Sequence, residues 1–245
     1  MNKTVSEAIE YRRSVRIFKD QDLDTEKVKK CLVNASLAPN SSNLQTWEFL
    51  HITDKKTIKS LAKACFNQNA AKTANQLVVF VVRQDLWKKR AQSNVDFLNS
   101  VFDKQNAKNT EKRRSAALRY YKVAIPTMYT SFFGILGLFR YIFFNIVGLF
   151  RPIFRQVRYS DMRIVSHKST ALAAQNFILS MAEIGYDTCA MEGSDTTRVK
   201  KILKLPSSVE INMIVGCGIR HEKESILKDI EFLLIKFIKK YNYFL

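Results

Sequence analysis

The stretch from Val123 to Phe150, VAIPTMYTSFFGILGLFRYIFFNIVGLF, constrains this chain more than any other. Its one charge is Arg140, and it is apolar on all sides rather than along one stripe, so something must cover it. By length it could cross a bilayer. A charge near mid-bilayer costs roughly 3 kcal/mol against that. The pieces on either side of Arg140, Val123–Phe139 and Tyr141–Phe150, are too short for a comfortable double span. Two readings remain open. The run is a helical lid or arm, buried over a site or against a partner. Alternatively it dips into a membrane leaflet, with Arg113, Arg114, Arg119, Arg151, Arg155 and Arg158 on lipid phosphates.

Charge follows the same region. Of a net charge of +18, more than half comes from the stretch Lys108–Lys168, where twelve Lys/Arg stand against Glu111 and Asp161. Such a block favours an anionic partner: a membrane surface, a phosphorylated cofactor or a nucleic acid. No zinc pattern and no RNA-binding aromatic signature supports the last. Cys31, Cys65, Cys189 and Cys217 lack CxxC spacing, and three scattered histidines do not suggest a metal cluster, so a reduced compartment is the simpler expectation. The first residues, MNKTVSEAIEYRR, lack the apolar core of a signal peptide, which predicts a cytoplasmic protein.

With 245 residues and only seven Gly and four Pro, the chain is expected to form one domain rich in helix. Patterning predicts helices at Val5–Tyr11, Thr25–Leu37, Lys55–Ala64, Leu86–Ser100, Ser169–Glu183 and Thr196–Leu203. Strands are expected at Trp47–Ile52, Gln76–Val82, Tyr186–Met191 and Ile211–Val215, the second a continuous apolar run and therefore buried. Gly185 suits the residue just past a helix end. The tail, Ser225–Leu245, mixes apolar residues with Lys, as in a helix or an extended arm.

Two stretches are dense in ligand-binding groups. Arg12-Arg13-Ser14-Val15-Arg16 packs three guanidinium forks and a hydroxyl into five residues, and such forks suit phosphate. The same cluster can equally be a solvated helix end. Pro39-Asn40-Ser41-Ser42-Asn43-Leu44-Gln45-Thr46-Trp47 offers neutral donors and acceptors that could hold an uncharged heteroaromatic ring, or it is simply a turn.

Taken in order, the RRSVR pentapeptide, the APNSSNLQTWEF segment, the Asn67 break before LVVFVV, Ala182-Glu183-Ile184-Gly185-Tyr186, Met191-Glu192-Gly193 and Val215-Gly216-Cys217-Gly218-Ile219-Arg220 resemble the FMN-dependent nitroreductase family. The resemblance covers residues 1–105 and 160–222 and leaves about 108–160 as an insertion in a single domain. It implies an α+β fold with a mainly antiparallel sheet flanked by helices, in an interlocked homodimer. It also implies FMN, with NADH or NADPH as reductant and a nitroaromatic or quinone as acceptor. Arg12, Arg13, Ser14 and Arg16 would lie around the FMN phosphate, ribityl chain and pyrimidine edge. Pro39, Asn40, Ser41 and Asn43 would reach it from the other subunit. Asn67 would bond toward the ring or the substrate, Glu192-Gly193 would lie over the ring, and Arg220 would add a phosphate contact.

The resemblance implies no catalytic acid–base pair, since the flavin carries the chemistry. Departures are Ala70, where many members carry Lys, Thr46 in place of Pro, and Glu231-Phe232 about where an Arg is expected. A split flavin site also argues against a single span, because the two halves would face opposite sides of the membrane. The alternatives are a relative with specialised chemistry, such as reductive dehalogenation or flavin destruction, and a flavin-binding membrane-associated protein without turnover.

Overall fold

The computed structural model describes residues 2–104, 110–131 and 135–221. The tail expected at Ser225–Leu245 and the position Glu231-Phe232 lie outside the described residues.

The centre is the strand β2, Gln76–Val82, all seven of whose residues are buried. A strand whose run Leu77–Val82 is apolar on both faces has none to give to water and so must be covered on both sides. It pairs antiparallel with β1 (Trp47–Ile52) and with β4 (Glu210–Gly218), and β4 pairs antiparallel with β3 (Asp187–Met191), giving the order β1-β2-β4-β3. The period-two alternation of β2 feeds two cores. Leu77, Val79 and Val81 join Leu61, Ala71, Val199 and Ile214 on one face, and Val78 and Phe80 join Val28, Phe177, Met181 and Val215 on the other. The fold is thus α+β, an antiparallel sheet between helical layers.

The helices are laid down by local signals. Thr4 and Glu7 form a reciprocal capping box on α1 (Val5–Tyr11), and Asp24 caps α2 (Thr25–Ser36) through the amides of Glu26 and Lys27. The first core is roofed by α3 (Lys55–Ala64) and the short α4 (Asn69–Lys72), followed in the chain by α5 (Trp87–Phe102). Next come α6 (Thr110–Arg119), a wider π turn at Tyr120–Ala124, α7 (Ile125–Tyr129) and α8 (Ile135–Val147). The long α9 (Tyr159–Glu183) backs the second core, and α10 (Thr196–Ile202) joins β3 to β4.

The structure extends two sequence expectations. Helix α9 starts at Tyr159 rather than Ser169, because the Asp161 carboxylate accepts from the Arg158 backbone N–H at 3.0 Å and Met162 is already buried. Strand β4 runs on from Val215 to Gly218, since Gly216 and Cys217 keep their pairing with both neighbours. At the far end of α9, Gly185 takes φ +82°, and the amides of Gly185 and Tyr186 bond back to Ala182 and Met181. This double closure needs a left-handed residue at position 185, which glycine supplies without strain. Among the described residues no helix is long and apolar enough to cross a membrane.

Candidate functional site

The pentapeptide lies along the open edge of β3. The Val15 N–H donates to the Thr188 carbonyl at 3.1 Å, and Ser14 pairs with Thr188 in a parallel bridge. Val15 is 1% exposed, anchoring the segment, while Arg13, Ser14 and Arg16 face solvent. Just beyond, Lys19 and His221 bond to Ile219 and Ile17 across a short antiparallel pairing, and Phe18 presses onto Gly218. A Cβ at residue 218 would come within 2.6 Å of that ring, so the second glycine of VGCG lets the pentapeptide approach the sheet.

A buried network fixes the base of this edge. Asp187, 3% exposed, accepts from the Arg220 backbone N–H at 2.7 Å, from Nε at 2.9 Å and from Nη2 at 2.6 Å. The same Nη2 donates to the Tyr11 carbonyl at 3.1 Å, and the guanidinium lies 4.2 Å from the centre of the Tyr11 ring. Burial works against the Arg220 charge, and the hydrogen bonds and charge of Asp187 outweigh it, raising its pKa. Burial, followed by the Asp187 charge, also pushes the Tyr11 hydroxyl up. The expected phosphate contact at Arg220 therefore meets a fork already engaged with Asp187 and Tyr11. Asp187 and Thr188 were not singled out in the sequence. The available signal was an acid opening an apolar strand, since a buried carboxylate requires a partner.

Asn67 and Glu192-Gly193 come to the same edge. Phe66 and Asn67 take consecutive left-handed conformations, φ +57° and +54°, and turn the chain so that Gln68 Nε2 donates to the Gly193 carbonyl at 2.8 Å. Glu192 and Gly193 are exposed where β3 ends. Arg16 lies near enough to Cys189 that its charge opposes the upward push that burial gives that thiol. Neither Arg12 nor Arg16 has a carboxylate partner among the described residues. From Asn67 a groove of about 490 Å³ opens past Lys72 and Thr73 toward Lys55, Lys59 and Lys63. Two guanidinium groups without acids, an exposed amide and a glycine at a strand end suit a flat, phosphorylated ligand. Ala70, where Lys is common in the resembling family, is 4% exposed and its carbonyl faces Gly216, which favours a small residue.

The Pro39–Asn43 loop lies elsewhere in the protomer. Ser41 N–H donates to Ser169 Oγ at 3.3 Å, Asn43 and Asn94 exchange hydrogen bonds, and Tyr121 OH donates to the Ser42 carbonyl. The Asn40 carboxamide closes the loop on the Gln45 N–H at 2.9 Å. Ser169 belongs to the first half of α9, whereas the pentapeptide sits at its last turn, where Tyr11 OH donates to the Gly185 carbonyl. Fourteen residues of helix separate Ser169 from Glu183, about 21 Å at 1.5 Å per residue. Among the described residues no hydrogen bond joins this loop to the pentapeptide, Asn67 or Gly193. Beside it is an apolar pocket of about 430 Å³, lined by Ser41, Ser42, Tyr120, Met128, Phe144 and Phe154 among others.

Residues 9–219 match the model of the nitroreductase family. Protein DrgA of Synechocystis is 26% identical over 217 residues, covering 88% of this chain and 84% of its own. The Staphylococcus epidermidis protein SERP2086, whose name includes NAD(P)H nitroreductase, is 22% identical over 230 residues, covering 91% and 90%. A protein of Exiguobacterium sibiricum solved in complex with FMN superimposes with a TM-score of 0.66 at 17% identity, covering 98% of this chain and all of that one.

Proposed function

The chain belongs to the nitroreductase family, and on that premise we propose that it is an FMN-dependent oxidoreductase. NADH or NADPH is the reductant, and a flat, electron-poor molecule such as a nitroaromatic or a quinone is the acceptor. The two substrates use one site in turn. The observation that carries this reading is the convergence of Arg12–Arg16, Asn67 and Glu192-Gly193 on the open edge of β3. The flavin, when bound, supplies the reversible uptake and release of a hydride equivalent.

The chain's own residues bind and orient. Arg12 and Arg16 hold the phosphate and place positive charge beside the pyrimidine edge, favouring its anionic reduced form. Arg13 and Ser14 add donors on the same strand edge. Asn67 offers its amide toward the ring or the substrate. Gly193 leaves the ring face open, since it carries no side chain there. Arg220 acts one layer below, holding Tyr11 and Asp187 so that the pentapeptide keeps its path. No proton-transfer pair is required of the protein.

Pro39, Asn40, Ser41 and Asn43 lie too far along α9 to complete the site of their own protomer. We therefore read the active form as a homodimer in which this loop reaches the partner's flavin. The apolar pocket beside the loop, between Ser42 and Phe144, then selects the acceptor. The four free, buried cysteines suit a reducing compartment, and we assign the protein to the cytoplasm.

Absorbance tests the proposal. The purified protein is expected to be yellow with one FMN per chain, to bleach with NADH or NADPH, and to recover colour with a nitroaromatic or quinone. Protein that is colourless and takes up no added FMN would sink it. Yellow protein that neither nicotinamide bleaches would leave a flavin binder without turnover.

A further inference from the structure

Helix α8 is turned inside out. Its inward stripe is Gly137, Arg140, Phe144 and, just past its end, Gly148, spaced so that they share one helical face. Gly137 sits on the backbone of Arg158, where a Cβ would lie 3.6 Å from the Arg158 Cα. Arg140 donates to the carbonyls of Thr127 and Thr130, and Arg155 donates to Asn145 Oδ1 and to the Gly148 carbonyl. The polar and small residues of the helix thus point at the protein. The outward residues are Leu138, Phe139, Ile142 and Phe143, at 57, 67, 49 and 61% exposure, and the face continues into Leu149 and Phe150 at 76 and 84%. A contiguous patch of this kind is not left to water.

The surroundings decide what covers it. From Lys112 to Ser160 there are nine Lys/Arg and no carboxylate. Among them Arg113, Arg119, Lys122 and Arg151 are exposed, and Arg151 follows Phe150 directly. A second copy meeting this face about a twofold axis would bring two such rims together with no acid from either stretch between them. An anionic lipid surface accepts both the apolar face and its cationic rim. With 13 residues, α8 measures about 20 Å, short of the roughly 30 Å hydrocarbon core, so it lies along the interface rather than across it.

We propose that α8 seats its outer face in the interfacial layer of an anionic membrane, with the flanking arginines on lipid phosphates. This stands apart from the flavin reading, because vesicle binding is measured without substrate or cofactor turnover.

The test uses the full chain with vesicles of phosphatidylcholine containing phosphatidylglycerol, and pure phosphatidylcholine as the neutral comparison. The four native cysteines are buried, so Phe143→Cys can be labelled selectively with an environment-sensitive dye. Emission is expected to report water in buffer and to shift blue on the anionic vesicles, with co-sedimentation that weakens as salt rises. Phe139→Asp/Phe143→Asp should lower partitioning about 100-fold through lost apolar burial. Arg151→Glu should lower it about tenfold on anionic vesicles, since each juxtamembrane charge contributes several-fold. All three positions are exposed, so an unchanged thermal melt verifies folding. Three outcomes would overturn the proposal. They are an apolar dye signal before vesicles are added, which means the chain or a second copy covers the face; no co-sedimentation at low salt; and undiminished binding of the double Asp variant.

Discussion

The edge of β3 and helix α8 are both rich in arginine, and they use it in opposite ways. At β3 the Arg220 guanidinium is partly buried and held by Asp187 and Tyr11, and that fixed base carries the half-exposed Arg12 and the exposed Arg16. On α8, Arg140 points inward to carbonyls at the end of α7, the exposed Arg155 bonds back to the end of α8, and the face presented to solvent is apolar. One region hides a charge to display charge, and the other hides charge to display hydrocarbon. The difference shows that the role of an arginine depends on what lies opposite its side chain rather than on its neighbours in sequence.

The sharpest way to break this contrast is at the displayed charges. Arg12→Ala/Arg16→Ala should weaken FMN binding by about 4 kcal/mol, near a thousandfold, at about 2 kcal/mol for each hydrogen bond to a charged group. Fluorescence titration with FMN measures this, and retained stoichiometric flavin would remove the pentapeptide from the site.

Next is the hidden pair. Asp187→Asn should cost about 3 kcal/mol in urea denaturation, because it leaves the partly buried Arg220 charge without its carboxylate. A loss no larger than that of an exposed substitution would mean that Arg220 escapes to water.

The thiols give a smaller effect through pH. Burial pushes Cys31 and Cys65 up to about 11 from an ordinary value of 9.0. The folded state then holds protons that the unfolded state releases. Their stabilising contribution is full below pH 9 and is lost as pH rises from about 9 to 11, about 2 kcal/mol per thiol. Thermal melts across that range should fall less steeply for Cys31→Ala/Cys65→Ala.

The smallest effect is the most diagnostic for α8. Phe143→Ala should change stability in buffer by less than about 0.5 kcal/mol, as expected of a side chain that is mostly in water. A loss of several kcal/mol would mean that this face is buried in solution.

Much of the fold was legible because its signals are local. Apolar periodicity marks α2 and α3, Gly185 ends α9, and the apolar run of β2 can sit only in a covered position. The pentapeptide, Asn67 and Glu192-Gly193 were legible in the same way, as short motifs, and the fold brings them to one strand edge. Asp187 and Arg220 lie 33 residues apart, so their pairing carries no short-range pattern. The Ser169–Glu183 helix that separates the Pro39–Asn43 loop from the pentapeptide was legible, but the packing of the loop on Ser169 at its near end was not.

The sequence by itself determined which core segments are helix or strand and most of their ends, and that the 123–150 run is too apolar for water. Periodicity and capping act over three or four residues and need nothing else. Only the tertiary structure decided which way each side chain faces: that Arg220 looks into the protein, and that α8 turns its glycines and Arg140 inward and its phenyl rings out. Those choices are made by whatever packs against each element, and that is a property of the whole fold.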